Sequence, residues 1–420
     1  MKSPLLQLTL LFGLLSCAGG HEAPPSAVEA EAEATTLRWR VAHAPGDYFI
    51  QMAQRFEEIV ERDTEGRVLV DVLDETGCFV DRNPEMANQH VEEMQAERRE
   101  IAERLTALND GINYDAETLV GLRRAEGLQL LQQGEVEIAQ NYSYYLAQVA
   151  NPEYHALDLP YLFDDYGHVT AGLEGEAGER LLASTAGEGY RGLAYTFSGG
   201  LQVMLSRDDA PFTSAESWEG QRFREVSSAS RQSALEVLGG ESSPRLRDDT
   251  THHRATDLIR RGLVDAEEIN LPDVEHWLAN VVSDREAEQV RRRRRLNVSG
   301  LAVTETQHAL LSTVLLIREE TFQSLSAADQ AVVKAAALEA GRFERALTIQ
   351  RYEDSKERLR AAGFPWHEVS DEFKSEVRAA ARPVYESLYD EVPETREVVR
   401  QLRGLVGDES GAGVAEVSAE

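Results

Sequence analysis

Apolar and polar side chains alternate along residues 37–73 with the period of a strand, then of a helix, then of a strand again. Residues 37–43 have the period of a strand, and Pro45-Gly46-Asp47 ends it. Residues 48–62 repeat apolar side chains at helical spacing, and residues 68–73 return to the strand pattern. A strand, a helix and a strand in this order are the unit of a parallel sheet covered by helices.

The rest of the chain continues this succession of predicted elements. Further strands are predicted at 136–140, 191–197, 202–206, 222–226, 264–267 and 309–317. Further helices are predicted at 116–133, 166–186, 230–238 and 256–261, and the chain after residue 317 is predicted to be largely helical. Residues 157–163 contain Pro160, which suits a crossing or edge strand. The pattern therefore predicts an α/β fold in which residues 309–317 return to the sheet.

Residues 81–110 differ from the other predicted helices, because only a narrow stripe of apolar residues runs along an otherwise polar segment. Val91, Met94 and Leu105 keep helical spacing among many Glu, Gln and Arg residues. A stripe of this width fits a long helix that packs along one partner helix. We expect a helical insertion near residues 80–115, either as a surface arm on its own domain or as a protein-docking element.

The first residues have the pattern of an export signal. Lys2 precedes an apolar run that stops at Ser16-Cys17 and is too short to cross a bilayer. Leu14-Leu15-Ser16-Cys17 resembles the bacterial lipobox, in which the new terminal Cys carries acyl chains that hold a protein to a membrane. We expect residues 1–16 to be a signal peptide and residues 17–36 to be a disordered tether, lipidated at Cys17. The alternative is an ordinary secretory signal with an incidental cysteine.

Composition narrows the class of partner. The 420 residues favour two domains, and 74 Asp and Glu against 43 Lys and Arg give a net charge of -31, which argues against a nucleic-acid partner. The basic run at residues 291–295 is interpreted as a solvated helical face beside Glu286 and Glu288 rather than a phosphate or lipid patch. If Cys17 is acylated, Cys78 has no partner within the chain, so disulfides do not hold this fold together.

No catalytic motif stands out in the sequence. It lacks a Gly-x-Ser-x-Gly elbow, a phosphate-binding loop that ends in Lys-Ser/Thr, and His-Glu-x-x-His. His252 and His253 are adjacent, and neighbours in sequence do not share a face of a helix or strand, so they are poor joint metal ligands. The sequence therefore predicts no catalytic residue, no cofactor and no metal.

Several short segments, in order along residues 37–390, together form a recognisable pattern. They are Ala42-His43, 56–68 with its Thr64-Glu65-Gly66-Arg67 turn, 133–139, 157–163, 218–224, 262–268 and 325–330. This pattern resembles the periplasmic solute receptors of tripartite ATP-independent (TRAP) transporters, the dicarboxylate-binding DctP-like family. The resemblance implies a non-catalytic protein of the periplasm that captures a small carboxylate and delivers it to the membrane components of a TRAP transporter.

The resemblance also implies a two-domain periplasmic-binding-protein fold, with a ligand cleft between the domains that closes as a hinge and long C-terminal helices. The expected parts are residues 37–199 as α/β domain I, 200–308 as α/β domain II, 309–345 as the return to domain I, 346–405 as C-terminal helices packing on domain II, and 406–420 as a disordered tail.

Arg224 falls on the position at which such receptors grip the ligand carboxylate. A planar guanidinium presents paired donors that match two carboxylate oxygens, although a surface pairing of Arg224 with Glu219 or Glu225 is the alternative. Glu268 is expected either to hold a ligand amine, hydroxyl or bridging cation, or to be solvated. Cleft-lining aromatic candidates, for which burial in the core is the alternative, are Tyr142, Tyr144, Phe197 and Trp218.

The sequence departs from the family at three ligand positions. Gln202 stands where many relatives have a second Arg, Arg254 stands where an acidic residue is expected, and Ile269 replaces an Asn. Gln202 can still donate one neutral hydrogen bond, and Arg254 can supply the missing positive charge.

Two rival functions remain open at this point. One is an anchored envelope scaffold that uses the helical insertion to bind a partner, and the other is an anchored enzyme such as an envelope hydrolase. The missing nucleophile-base pattern argues against the hydrolase, whereas the insertion keeps the scaffold open.

Overall fold

The computed structural model describes residues 34–41, 46–73, 127–224, 229–243, 255–279 and 300–404. Several predicted features lie outside the described residues, namely the signal peptide, Cys17, most of the tether, the helical insertion near 80–115, Cys78, Arg254, residues 291–295 and the tail beyond 404. Among the helices that are described, none has both the length and the apolar character needed to cross a membrane.

The described strands and helices alternate for most of the chain. The strands are β1 (Thr35–Arg40), β2 (Val68–Leu73), β3 (Ile138–Tyr142), β4 (Tyr190–Leu201), β5 (Val203–Ser206), β6 (Arg222–Arg224), β7 (Glu241–Ser243), β8 (Ala266–Ile269), β9 (Ala302–Glu305), β10 (Leu310–Arg318) and β11 (Trp366–Glu368). The helices are α1 (Gly46–Asp63), α2 (Ser143–Val149), α3 (Tyr166–Leu173), α4 (Glu176–Ser184), α5 (Ala229–Val237), α6 (Ala255–Arg260), α7 (Leu271–Ala279), α8 (Glu319–Ser324), α9 (Ala327–Ala361), α10 (Asp371–Ala380), α11 (Arg382–Glu391) and α12 (Thr395–Leu402). Short 3-10 helices lie at Pro152–Asp158, Thr185–Glu188 and Ala215–Trp218.

The first sheet has the strand order β2-β1-β3-β10-β4. β1 pairs in parallel with β2 and β3, and α1 packs on the sheet because its apolar residues fall on one face. The ring of Phe56 in α1 meets the ring of Trp39 in β1 edge-on, with 5.3 Å between their centroids. β10 runs antiparallel to β3 and β4 and is buried along most of its length. The predicted strand-helix-strand unit and the return of residues 309–317 to this sheet are confirmed.

The second sheet has the strand order β11-β9-β5-β8-β6-β7. β6 runs parallel to both β7 and β8, so the carboxyl ends of these three strands share one edge of the sheet. Helix α6 packs on β5 and β8, and apolar side chains of both α6 and α7, such as Leu258 and Leu271, join the core of this sheet. The two α/β sheets confirm the predicted fold class.

Two segments cross between the sheets. β4 continues through Gln202 into β5, and the N–H of Gln202 donates to the carbonyl of Ala309 in the return segment at 2.8 Å. Gly199 and Gly200 have φ of +91° and +72°, a left-handed backbone that glycine adopts without strain. A Cβ on Gly199 would overlap the side chain of Asn270. This bend therefore requires glycine for its backbone angle and for the close approach to the second sheet.

Helix α9 is long enough to pack against both sheets. Val333 and Ala337 join the core of the first sheet, whereas Tyr352 and Leu359 join the core of the second. Gly341 allows close approach, since a Cβ there would lie 3.0 Å from the backbone oxygen of Tyr195. The predicted long C-terminal helices are confirmed. Of those that follow, α10 packs near the 3-10 helix at Ala215–Trp218, α11 packs on α5, and α12 packs on α3 and α4.

Two predicted elements have a different structure. Residues 157–163, predicted as a strand, form the end of a 3-10 helix and a turn, because Asn151 caps that helix through its side chain and Tyr161 has a φ of +51°. Residues 166–186, predicted as one helix, divide into α3 and α4. Gly178 sits directly against the backbone carbonyl of Leu173 at this corner, where a side chain would not fit.

Candidate functional site

Arg224 ends β6 at the edge where the parallel strands of the second sheet have their carboxyl ends. Ligands of open α/β sheets bind outside this kind of edge. Nη1 of Arg224 donates to Oε1 of Glu267 on β8 at 2.7 Å. The side chain of Arg224 keeps 30% of its surface exposed and that of Glu267 only 10%, so the pair lies at the boundary between the sheet and solvent.

A second ion pair, between Arg222 of β6 and Asp265 just before β8, shows how burial changes the pKa of the carboxylate partner. Arg222 donates to both oxygens of Asp265, from Nε at 2.8 Å and from Nη2 at 2.9 Å, and these hydrogen bonds lower the pKa of Asp265. The pKa of Glu267 is raised instead, because burial disfavours its charged form, and Arg224 opposes that shift. The Arg224–Glu267 pair is therefore the desolvated one, where charge differences count most.

Glu268, the next residue on β8, forms a buried charged cluster. Its carboxylate pairs with the guanidinium of Arg231 in α5, and its Oε2 accepts a hydrogen bond from Nε2 of His308 at 2.9 Å. Burial lowers the pKa of His308 to about 3, and the positive charge of Arg231 contributes, so this imidazole is neutral. Its Nδ1 accepts a hydrogen bond from the hydroxyl of Thr306 at 2.8 Å. This cluster ties β8 and α5 to the return segment between the sheets.

Arg231 also extends this cluster toward the first sheet. Burial lowers its pKa, and Asp158 and Tyr144 oppose the shift, so both lie within electrostatic reach of the guanidinium. Asp158 ends the 3-10 helix at Pro152–Asp158, against which α5 packs. Asp158 and the Arg231–Glu268 pair therefore come together beside this 3-10 helix.

The facing edge of the first sheet is polar and aromatic. The rings of Tyr142 and Tyr144 lie 5.1 Å apart, and the hydroxyl of Tyr142 is 3.1 Å from that of Ser198 on β4. Two residues earlier on β3, Nε2 of Gln140 donates to the hydroxyl of Thr196 at 2.6 Å, and both side chains are buried in the sheet. Tyr142 and Tyr144 are thus brought together where β3 ends and α2 begins.

The remaining predicted residues lie around this region in different settings. Gln202 is buried in the crossing segment, where its Nε2 donates to the carbonyl of Gly200 at 3.0 Å. Phe197 is a core residue packed 5.8 Å from the ring of Tyr166, centroid to centroid. Trp218 packs among Phe212, Phe223 and His308. Phe197 and Trp218 are both fully buried, as the core alternative for the aromatic residues expects.

Sequence reasoning missed Glu267, Arg231, His308 and Asp158. A signal for Arg231 was present, because it shares the spacing of Ala234 and Leu235 and so falls on the buried face of α5. A charged residue on such a face requires a buried partner. No comparable pattern marks His308, since its position depends on the path of the return segment. The described residues contain no group of three His, Cys, Asp or Glu side chains placed to hold a metal ion.

The family comparison covers most of the described chain. The family model described as bacterial extracellular solute-binding protein, family 7 (DctP), matches residues 112–272 and 300–392. A solute-binding protein of Chromohalobacter salexigens is 24% identical over 60% of this chain and 67% of its own length. The C4-dicarboxylate-binding periplasmic protein DctP of Rhodobacter capsulatus is 23% identical over 64% of this chain and 72% of its own length.

Solved structures share the fold of most of the chain. A TRAP periplasmic solute-binding protein from Roseobacter denitrificans, with bound β-D-glucuronate, has a TM-score of 0.60 and 20% identity, covering 88% of this chain and 99% of its own. One from Shewanella oneidensis, with bound succinate, has a TM-score of 0.59 and 17% identity, covering 89% and 99%. One from Ochrobactrum anthropi has a TM-score of 0.65 and 17% identity, covering 91% and 99%. At these identities the likeness shows a shared fold.

Proposed function

Because the chain belongs to the bacterial extracellular solute-binding proteins of family 7, the DctP family of TRAP solute receptors, we propose that it captures a small organic acid and delivers it to the membrane components of a TRAP transporter. Members of this family bind solutes and are not enzymes. The observation that carries the proposal is the position of Arg224, whose guanidinium lies at the carboxyl edge of the second sheet. Among the described contacts, this guanidinium donates only through Nη1, to Glu267. Its other donors are available to a ligand carboxylate.

The ligands of the relatives support a carboxylate as the recognised group. Relatives are named for C4-dicarboxylates and for 2,3-diketo-L-gulonate, and structural neighbours hold succinate, glucuronate, galacturonate or galactonate. These compounds differ in length and hydroxylation but share a carboxylate. We therefore assign the carboxylate to Arg224 and place Glu268, Gln202, Tyr142 and Tyr144 around the rest of the ligand, with Arg254 as a further candidate.

Capture requires the two sheets to move relative to each other. The crossing segments provide a bend at Gly199 and Gly200, and the return segment holds Gln307 at a φ of +49°. Backbone angles of this kind concentrate a hinge in a few residues. Closure around the ligand would exclude water from the Arg224 carboxylate pair and strengthen it.

The proposed location is the periplasm, with the protein held to a membrane by acyl chains on Cys17. The support is the lipobox-like sequence Leu14-Leu15-Ser16-Cys17 and the low-complexity Ala and Glu stretch that follows it. A tether of this kind lets a receptor reach a transporter in the same membrane while staying near it.

The function is tested by isothermal titration calorimetry with succinate and with glucuronate on the purified protein, after release of any retained ligand by partial unfolding and refolding. We expect saturable binding of at least one carboxylate, together with a smaller radius of gyration by X-ray scattering when it is bound. Failure of every carboxylate in a broad panel to bind would contradict the proposal.

A further inference from the structure

The described charges near Arg224 are unusual for a site that receives an anion. The groups that interact there, called here the edge cluster, are the guanidinium of Arg224 and the carboxylates of Glu267 and Asp273. Arg224 already pairs with Glu267. Glu268, the next residue on β8, points to the opposite face of the sheet and has its own pair with Arg231. Asp273 lies within electrostatic reach of Glu267. Among the described residues, the edge cluster therefore holds more carboxylates than guanidiniums.

Glu267 indicates which kind of ligand group would balance this excess of carboxylates. Its Oε1 accepts the hydrogen bond from Arg224, whereas its buried Oε2 has no donor among the described residues. Burial raises the pKa of this carboxyl group, and the charge of Asp273 raises it further. A buried acceptor without a donor is costly, and a ligand that brings a donor to Oε2 would remove that cost.

A ligand whose only charged group is a carboxylate would neither balance the excess of carboxylates nor bring a donor to Oε2 of Glu267. Its negative charge would share Arg224 with Glu267 and add to an excess of the same sign, and like charges in a poorly solvated site repel strongly. A hydroxyl group would supply a donor to Glu267 but no positive charge. A cationic nitrogen supplies both the donor and the charge.

We infer that the solute carries a cationic nitrogen close to its carboxylate, so that the carboxylate binds Arg224 and the nitrogen donates to Glu267; this inference rests on the proposed function. The chemical class is a zwitterion of the amino-acid or amino-sugar-acid type. Glu267 is then the residue that separates such zwitterions from hydroxy acids and dicarboxylates of the same size.

Matched pairs of compounds test the inference on the unmodified protein. Calorimetry would compare alanine with lactate, aspartate with malate, and 2-amino-2-deoxygluconate with gluconate, alongside succinate and glucuronate. Each pair differs only in an amino group against a hydroxyl. We expect the amino member of the pair that binds to bind at least tenfold more tightly than its partner.

Two other outcomes are distinguishable. If lactate, malate, gluconate, succinate or glucuronate binds as tightly as any amino compound, the inference is wrong and the proposed function stands. If no compound of the panel binds, both fail together.

The variant Glu267→Gln provides a second test, because glutamine keeps the shape and a hydrogen-bond acceptor but removes the charge. We expect at least tenfold weaker binding of the amino member and unchanged or tighter binding of the hydroxy member. The matched control is Asp265→Asn, which neutralises the neighbouring pair with Arg222 and should leave both affinities unchanged. Equal weakening of both members by Glu267→Gln would show that Glu267 only positions Arg224. If this variant does not fold, the comparison on the unmodified protein decides alone.

Discussion

Oε2 of Glu344 in the long helix α9 accepts a hydrogen bond from the backbone N–H of Phe197 in β4 at 2.8 Å. This contact joins the helix that packs against both sheets to the strand that crosses between them. Glu344 is fully buried, and burial raises its pKa from the ordinary 4.5 to about 7 although the hydrogen bonds from Phe197 and Thr348 oppose the shift. The anchor of the crossing strand therefore changes charge near neutral pH.

The raised pKa of Glu344 predicts a loss of stability as pH rises. Below about pH 4.5 the carboxyl is protonated in the folded and unfolded states, and between 4.5 and about 7 only the folded state holds the proton. Its contribution therefore falls across this window by about 3 kcal/mol, at about 1.4 kcal/mol per pKa unit. Glu344→Gln should remove that loss, so its free energy of unfolding relative to the unmodified protein should rise between pH 5 and pH 8 in urea denaturation.

The control for this experiment is Glu339→Gln, which changes an exposed carboxylate on the same helix that pairs with Arg55 at the surface. It should shift stability little and equally at both pH values. The same pH dependence in the Glu344 variant and the unmodified protein would contradict the assignment.

Arg224→Ala should weaken carboxylate binding by a factor of about thirty or more. Truncating one partner of a desolvated charge pair costs about 2 to 5 kcal/mol, and about 1.4 kcal/mol is tenfold in affinity. Arg224→Lys should recover part of the loss, because it keeps the charge without the paired donors. Calorimetry with whichever carboxylate binds is the measurement. Arg222→Ala, which removes the outer pair with Asp265, is the control, and equal losses in the two alanine variants would show that Arg224 has no special role.

Gly199→Ala should destabilise the protein by about 2 to 4 kcal/mol, since it adds left-handed backbone strain to overpacking against Asn270. Gly187→Ala is the matched control, because a Cβ there meets nothing within 4 Å and its φ is not left-handed. Thermal unfolding would compare the two variants. A Gly199→Ala protein as stable as the control would show that the crossing segment is not constrained as described.

Cys17→Ala should abolish lipid attachment. Since Cys17 is the proposed acylation site, the mature protein should lose its lipid mass in intact-protein mass spectrometry and leave the membrane fraction for the soluble periplasmic extract. Retention in the membrane fraction with no change in mass would mean that the anchor lies elsewhere.

Much of the fold could be predicted because each element carries its own local pattern. The parallel unit of β1, α1 and β2 and the central strand β10 follow from the spacing of their apolar residues, whereas a long C-terminal helix is expected from the family resemblance. Predictions failed where a single contact decides the backbone. The corner at Gly178 and the turn at Tyr161 depend on close packing against other segments, which periodicity does not record.

The residues of the candidate site also divide into those that the sequence predicted and those that it did not. Arg224, Glu268, Tyr142 and Tyr144 could be named from the sequence, because each lies beside a predicted strand end or in a segment with a family pattern. Their partners could not be named, since Glu267, Arg231 and His308 come from three separate elements of the chain.

By itself, the sequence determined the class of fold, the strand on which the candidate anchor Arg224 lies and the acidic character of the protein, since these depend on residue type and local spacing. Only the tertiary structure decided that Arg224 is already paired with Glu267, that a neutral His308 supports Glu268, and that carboxylates outnumber guanidiniums in the edge cluster. The physical reason is that charge balance and burial depend on distances between segments far apart in the chain. Folding sets those distances, whereas residue type alone does not.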